Sequence, residues 1–428
     1  MGMKRISFWG RWLLGVALTV LAAGLPAEAA PLSLEDYLTL VAARNPDLEA
    51  TRQRVAALRH AAEAVAATQR PQVHLVGSGA RVVREEEGSA SLYLAVTHRF
   101  DPWGKDDLQL RQTLLQHDQA AASFAAQGNR LLQQAERLYW DASLARRNLA
   151  LQETLVRQRT EDLRVTKRKF DLGAVPKLDV IRAEVALSRA RGESTAARLL
   201  WKDALTGLAR LAGETPAEPL PGGLEMPSLP ETPADPERAF QRNPEAQALR
   251  IALEAARAGR DLAALGKVPE VSGRVSYMVA TDEDVSVPPQ DDARLALEVS
   301  LPLYDGGRTR AQTAQGDRLV AAASQDLEVK RQNLVQELAE ARNRWEEACA
   351  QEETKRREVA LAAEELRIAR LRYDQGVGNQ LDLLDAQSKD AGARVEHLRA
   401  LRGMYVALTA LRGAMGEYAD RLSAPPGP

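Results

Sequence analysis

Two stretches decide the fold, and they repeat each other: FDLGAVPKLDV at residues 170–180 and YDQGVGNQLDL at residues 373–383. Each begins with an aromatic residue and an aspartate, reaches a glycine, and has a Leu-Asp pair five residues after that glycine. A glycine followed by a fresh helix start is typical of a helix that ends, turns and reverses. The sequence therefore predicts two helical hairpins with the same tip.

The repeat extends outward from these tips over nearly the whole chain. At an offset of 198 residues, Arg44-Asn45-Pro46 matches Arg242-Asn243-Pro244. At an offset of 203, Gly213-Glu214 matches Gly416-Glu417, so the second copy holds five extra residues. Two long copies indicate a duplicated domain rather than a solenoid of short repeats.

Each copy changes its hydrophobic period twice. A helical pattern, from Leu34 to Ala67 in the first copy with Ser33 as its N-cap, precedes a two-residue alternation that predicts strand hairpins at 72–101 and 270–304. The helical pattern then returns without proline until the tip, a first arm of roughly 100 Å at about 1.5 Å per residue. We therefore expect long helical hairpins at 105–213 and 308–416.

This pattern divides the chain into five parts. They are a signal peptide (1–29), a first repeat (30–213), a proline-rich linker (214–236), a second repeat (237–417) and a C-terminal tail (418–428), with a strand hairpin and a helical hairpin inside each repeat.

The first residues have the features of a secretory signal. Basic Lys4 and Arg5 precede an apolar run, 12–21, and the small-residue site Ala27-Glu28-Ala29 follows it. The net charge is −2 and the charges are interleaved, which gives no indication of nucleic-acid binding. The histidines lack metal-ligand spacing and the single cysteine, Cys349, has no expected catalytic partner, so we expect neither an enzyme nor a cofactor.

Four strands of about ten residues with alternating faces have the length and pattern of membrane-spanning β-strands. They cannot close a barrel alone, and open edges are not tolerated in lipid, so several subunits would have to share one barrel. The alternative is a small soluble sheet below a helical bundle. Periodicity does not decide between the two.

The chain resembles the TolC-like outer-membrane efflux proteins. The resemblance rests on the duplicated order of helix, strand pair and long hairpin, on the run from Tyr373 to Ala386 and on the run from Phe170 to Val180. It implies a mainly α fold with a membrane part: a homotrimer whose strands form a twelve-stranded β-barrel in outer-membrane lipid, with an α-helical tunnel in the periplasm. It also implies a periplasmic adaptor (membrane fusion protein) and an inner-membrane transporter as partners.

The resemblance also assigns residues. Asp382 and Asp385, three apart and therefore on one helix face, match the family's periplasmic gate, whose acidic rings favour cations. Tyr373 and Asp179 match a hydrogen-bonded latch between the hairpins. The family's accompanying arginine is absent, since Gly378 occupies its place.

The tips themselves are the expected docking surface for the adaptor. They comprise Gly173, Ala174, Val175, Gly376, Val377 and Gly378. The sequence thus predicts the exit duct of a tripartite efflux pump or type I secretion system. A periplasmic adaptor or a structural coiled-coil protein is the alternative, because both also contain long helical hairpins.

Overall fold

The computed structural model describes residues 33–81, 88–213, 236–282 and 293–422. The signal peptide predicted at 1–29, the linker up to residue 235 and the last residues, 423–428, lie outside the described residues. Within them, the first copy contains α1 (Leu34–Arg44), α2 (Pro46–Thr68), β1 (Gln72–Arg81), β2 (Gly88–Phe100), α3 (Lys105–Asp171) and α4 (Lys177–Ala212). The second copy contains α5 (Pro236–Arg242), α6 (Pro244–Ala264), β3 (Glu270–Asp282), β4 (Ala293–Ser300), α7 (Arg308–Asp374) and α8 (Gln380–Met415).

The predicted fold class is confirmed: two long helical hairpins, each with a pair of strands, account for the described chain. α3 and α7 each have 67 residues, while their return helices α4 and α8 have only 36. The shorter helices α2 and α6 pack along the remaining length of the long arms. Each long arm is therefore covered by two helices in succession.

One sequence expectation needs correction, because the helix expected from Leu34 to Ala67 is two helices. Ser33 does cap α1, accepting a hydrogen bond from the Asp36 N–H at 3.1 Å. The helix then stops at Asn45, because the residue before a proline is restricted away from the helical conformation. The second copy breaks in the same way at Asn243.

At the break, Asn45 and Asn243 each make two kinds of hydrogen bond. Asn45 caps α2 through its side-chain oxygen and donates its amide N–H to the carbonyl of Leu211 at 3.0 Å. Asn243 caps α6 and donates to the carbonyl of Ala414 at 3.3 Å. Asn45 thus links the C-terminal end of α4 to the N-terminal end of α2, and Asn243 links the end of α8 to the start of α6. In each copy, the second of these helices covers the part of the long arm that the first does not reach.

The main core lies where α1, α3 and α4 meet, away from the tips. Tyr37 of α1 is fully buried there and stacks on Tyr139 of α3 with ring centroids 6.0 Å apart. A second cluster joins α3 to the second hairpin, where Trp140 stacks on Tyr405 at 4.0 Å. This second cluster connects the two copies near the middle of α3.

The first residues after α8 pack into the core. Tyr418 is 1% exposed, and Leu422 fills the space beside Gly128, where an added Cβ would lie only 2.1 Å from the leucine side chain. The tail predicted from residue 418 is therefore packed at least as far as Leu422.

The four strands form one antiparallel sheet in the order β1-β2-β3-β4, and β2 pairs with β3 across the two copies. An apolar row crosses the sheet: Val73 stands opposite Val96, Val96 opposite Val275, and Val275 opposite Leu295. Side chains of this row are widely exposed, 64% for Val73 and 82% for Leu295. The sheet therefore presents an uncovered apolar surface and two unpaired edges, β1 and β4.

Candidate functional site

Both hairpin tips are built by the same turn. Gly173 has φ +72° and donates its N–H to the carbonyl of Phe170 at 2.8 Å, and Gly376 has φ +74° and donates to the carbonyl of Tyr373 at 3.2 Å. This left-handed conformation is the reason for glycine at both positions. The apolar side chains beside the turns are uncovered, 83% for Leu172 and 70% for Val377.

Gly378 is glycine for a different reason. Its N–H donates to the carbonyl of Arg372 at 3.0 Å, and an added Cβ would lie 3.1 Å from Arg372 Cβ and 3.2 Å from Tyr373 N. The backbone of the second tip therefore closes tightly onto the end of α7. This packing leaves little room at position 378 for the arginine that the resemblance leads one to expect.

The two predicted gate acids lie in the first turns of α8. Asn379 caps the helix by accepting the Asp382 N–H at 2.8 Å, and the side chains of Asp382 and Asp385 are both exposed. Asp385 is paired with Lys389, whose Nζ also contacts Glu365 Oε1 of α7 at 2.9 Å. The carboxylates of Glu365 and Asp385 raise the pKa of Lys389 above its ordinary value. Asp382 has no ion pair among the described residues.

The predicted latch residues lie near the tips without a hydrogen bond to each other. The hydroxyl of Tyr373 is buried and has no hydrogen-bond partner in the described part of the chain. The ring of Tyr373 instead has Lys169 Nζ 4.0 Å from its centroid. The carboxylate of Asp179 faces Arg182 on its own helix, at 3.4 Å.

Two residues that the sequence pattern does not single out make polar contacts between the hairpins near the tips. Gln380 and Gln387, both on α8 and both 6% exposed, form hydrogen bonds to the first hairpin. Glutamine is common on exposed helix faces, so composition gave no reason to choose these two. The only available signal was their spacing of seven residues, the repeat of a coiled-coil seam.

No group of three or more histidine, cysteine, aspartate or glutamate side chains in the described residues could hold a metal ion. No helix within the described ranges has the length and apolar character to cross a membrane.

Solved structures share this architecture. The chain superposes on the open-state MtrE outer membrane channel of Neisseria gonorrhoeae with a TM-score of 0.79, at 20% identity, over 90% of this chain and 88% of that one. The VceC outer membrane protein of Vibrio cholerae gives a TM-score of 0.76 at 17% identity, over 90% and 96% of the two chains. The duplicated hairpins, the shared tips and the open apolar sheet are therefore the fold of these solved outer-membrane channel subunits.

Sequence comparison identifies the family. A profile of the outer membrane efflux protein family matches residues 38–214 and 236–417. Protein CyaE of Bordetella pertussis is 30% identical over 352 residues, which are 77% of this chain and 72% of that protein. The chain belongs to the outer membrane efflux protein family, whose members are channel proteins. It is an exit duct of the outer membrane with its helical tunnel in the periplasm. The family match favours this prediction over the two alternatives, a periplasmic adaptor and a structural coiled-coil protein.

Proposed function

We propose that three copies of this chain assemble into one duct that conducts cargo outward from an inner-membrane transporter and a periplasmic adaptor. The observation that carries the proposal is the sheet. Its apolar row is uncovered, every residue of β4 is exposed, and each edge strand has an open side among the described residues. Open edges cannot persist in lipid, so pairing of β4 with β1 of a neighbouring copy supports a closed barrel.

The hairpin tips are the proposed docking surface for the adaptor. Leu172 and Val377 expose most of their apolar surface beside turns fixed by Gly173 and Gly376. A helical hairpin with apolar residues at its own tip would bury these side chains, each worth about 1.5–3 kcal/mol when fully buried. The pairing of a rigid turn with an exposed leucine or valine is what supports docking here.

The periplasmic gate is proposed at the N-terminal end of α8. Repeated by threefold symmetry, Asp382 would form an acidic ring that attracts cations and repels anions. Asp385 would contribute less, because Lys389 compensates its charge. The helix N-terminus also favours an acid at Asp382, by about 0.3–1 kcal/mol, so its gating role needs a functional test.

Tyr373 and Asp179 remain the proposed closing latch. Burying a hydroxyl without a hydrogen bond costs roughly 1–3 kcal/mol, and the Tyr373 hydroxyl is in that state. A bond to Asp179 in the closed assembly would remove this cost. Single-channel conductance of Tyr373→Phe and Asp179→Ala tests the pair, and unchanged conductance in both variants would eliminate it.

The assembly itself is tested by fractionation and electrophysiology. We expect heat-resistant trimers in outer-membrane fractions, and discrete channels when purified trimers are added to a planar lipid bilayer. A monomer confined to the periplasm would overturn the proposal. Deletion of the protein followed by a sensitivity screen against metal ions and toxic organic compounds would identify the cargo class.

A further inference from the structure

A recess opens next to the sheet, where α6 lies between α3 and α7. Its volume is about 760 Å³, within the range of roughly 300–1,000 Å³ that is usual for small-molecule sites. The face of α6 that carries small residues forms its floor, and the first turns of α3 and α7 form its two walls. The floor residues are Ala255, Ala256, Gly259, Ala263 and Gly266.

The recess exists because α6 has small residues on this face and lies close to both neighbouring helices. An added Cβ at Gly316 of α7 would lie 2.9 Å from Arg260 Cα, so α6 and α7 are in backbone contact there. On the other side, an added Cβ at Gly259 would lie 3.1 Å from Gln112 Nε2 of α3. The longer side chains of α3 and α7 therefore border a floor of alanine and glycine.

The recess opens on the side of the chain that carries the polar face of the sheet. Glu270 and Ser300 line it and stand opposite each other on β3 and β4, while the next pair, Val271 and Val299, belongs to the apolar face. Side chains alternate between the two faces of a strand, and the polar face of a membrane barrel encloses its lumen. In the proposed trimer the recess therefore lies in the inner wall of the duct, where the tunnel meets the barrel.

The charges that line the recess favour an anionic ligand. They belong to Lys105, Glu270, Arg260 and Arg308. Lys105 Nζ lies 2.6 Å from Glu270 Oε1, and Arg260 is paired with Asp261 of its own helix. Arg308, which is exposed, has no ion pair with the described residues. One positive charge in the lining is thus left without a counter-charge in the described part of the chain.

The attraction comes from side chains rather than from the end of a helix. Arg308 is the first residue of α7, but Asp305 already caps that helix by accepting the N–H groups of Gly307 and Thr309 at 3.0 and 2.9 Å. Three amide side chains that make no hydrogen bond to the described residues add N–H donors to the lining. They are those of Gln112, Gln312 and Gln315.

The recess also offers apolar surface beside these donors. Leu262, Val268 and Leu319 line it, and Leu319 is 55% exposed. Covering an exposed leucine and the alanines of the floor would remove apolar surface from water, which favours binding. A ligand that combines a negative charge with a small apolar body would therefore find both kinds of partner in one place.

From this lining we propose that the recess is a binding site for small amphipathic anions in the inner wall of the duct. A sulfonate, carboxylate or phosphate group would bind Arg308 and the glutamine amides, and the apolar body would cover Leu319 and the alanines of α6. The inference deepens the proposed channel function and rests on it, since it names one class of cargo that the wall recognises between the tunnel and the barrel.

The test is photolabelling of trimers in lipid nanodiscs with an azidonaphthalene sulfonate, followed by mass spectrometry of the labelled peptides. Label should appear within 255–266 and 308–319, and a probe whose sulfonate is replaced by trimethylammonium should leave these segments unlabelled. Arg308→Gln should raise the concentration for half-maximal labelling about tenfold, because it removes a hydrogen bond to a charged group. Arg257→Gln is the matched control, since Arg257 is an exposed arginine of α6 that does not line the recess.

A second variant tests the shape of the recess without changing its charge. Ala256→Leu places a larger side chain in the floor, so it should reduce labelling although Arg308 is intact. Equal labelling of the recess by the anionic and cationic probes would overturn the inference, and so would an unchanged half-maximal concentration in Arg308→Gln. A recess covered in the trimer by a second copy or by the linker would take no label, which would also overturn it.

The outcomes distinguish this inference from the channel function. Wild-type copies that form neither trimers nor channels would refute the proposed function itself. Trimers that conduct ions in a planar bilayer but take no anionic label in the recess would refute the binding site alone.

Discussion

Lys389 Nζ lies 2.9 Å from Asp385 Oδ2, one helical turn away on α8, and this pair makes the two gate acids unequal. Asp382, three residues earlier, has no ion pair among the described residues. We expect Asp382→Asn to reduce the preference of the channel for cations more than Asp385→Asn does. Lys389→Gln should increase that preference, because it leaves Asp385 uncompensated.

Reversal potentials of trimers in a bilayer with a potassium chloride gradient measure this preference. Lys355→Gln is the matched control, since Lys355 forms a comparable one-turn pair with Glu358 on α7. Exposed pairs contribute about 0–1 kcal/mol, so neither lysine variant should unfold the trimer. Equal shifts for Asp382→Asn and Asp385→Asn would contradict the unequal roles.

Asn243→Ala should destabilise the second copy. It removes the cap of α6, worth about 0.5–2 kcal/mol, and a partly buried hydrogen bond to Ala414 worth roughly 1 kcal/mol. Asn45→Ala should cause a similar loss, because the first copy has the same two contacts. The temperature at which trimers dissociate on a gel measures the effect, with Asn343→Ala, an exposed helical asparagine, as the control. Unchanged dissociation in both cap variants would show that the joints do not limit stability.

The sequence predicted the elements well because their signals are local. Helix starts, the glycine turns at Gly173 and Gly376, and the change from a helical to a two-residue period can each be read within a few residues. The break at Asn45 departs from the single helix that the hydrophobic pattern predicts, although Pro46 marks its position in the sequence. A proline after an asparagine should have indicated a helix end followed by a new cap.

The contacts between the hairpins could not be predicted in this way. Gln387 meets Arg159 across 228 positions of the chain, and no local pattern encodes which faces of two long helices meet. The same limit applies to Tyr418. The sequence predicts it as the first residue of a tail, whereas in the structure its hydroxyl donates to Glu136 of α3. Side-chain partners across an interface follow from the packing of whole helices.

Stability in acid should depend on Asp305, at the junction of the sheet and α7. Hydrogen bonds from Thr309 and from the Gly307 N–H, with the charge of Lys267, hold the pKa of Asp305 well below its ordinary range. A carboxyl whose pKa is lower in the folded chain stabilises fully above the unfolded value, about pH 3.9, and loses this contribution as the pH falls through the folded value. Asp305→Asn should therefore lower the dissociation temperature at pH 7.

The difference in dissociation temperature should shrink below about pH 4, where the Asp305 carboxyl of the unfolded wild-type chain begins to be protonated while that of the folded chain is still ionised. Asp326→Asn, on α7, is the control. Its side chain is exposed, and it should have little effect at either pH. A difference between wild type and Asp305→Asn that stays constant down to pH 2 would contradict a role for the ionised form.

Glu136 is a buried carboxylate that ties α3 to α8 and to the chain that follows it. It is 1% exposed, its Oε2 accepts from the Tyr418 hydroxyl at 2.8 Å, and its Oε1 accepts from Arg412 Nη1 at 3.1 Å and Trp140 Nε1 at 3.2 Å. Every neighbour named here is a donor. The site therefore requires an acceptor with a full negative charge.

Glu136→Gln should accordingly be severe, although it changes one atom. The new amide N–H₂ would face donors, and Arg412 would keep only the Glu417 carboxylate, at 3.8 Å, as a counter-charge. Removing one partner of a fully buried pair costs about 3–5 kcal/mol, and the partial exposure of Arg412 reduces that cost here. Tyr418→Phe removes only one hydrogen bond and should cost about 1–3 kcal/mol, because it leaves Glu136 with its other donors. Dissociation temperatures of the trimers should therefore fall further for Glu136→Gln than for Tyr418→Phe. Glu346→Gln, in an exposed pair with Arg342, should hardly change them, and a smaller effect of Glu136→Gln than of Tyr418→Phe would show that the charge is not what holds this joint.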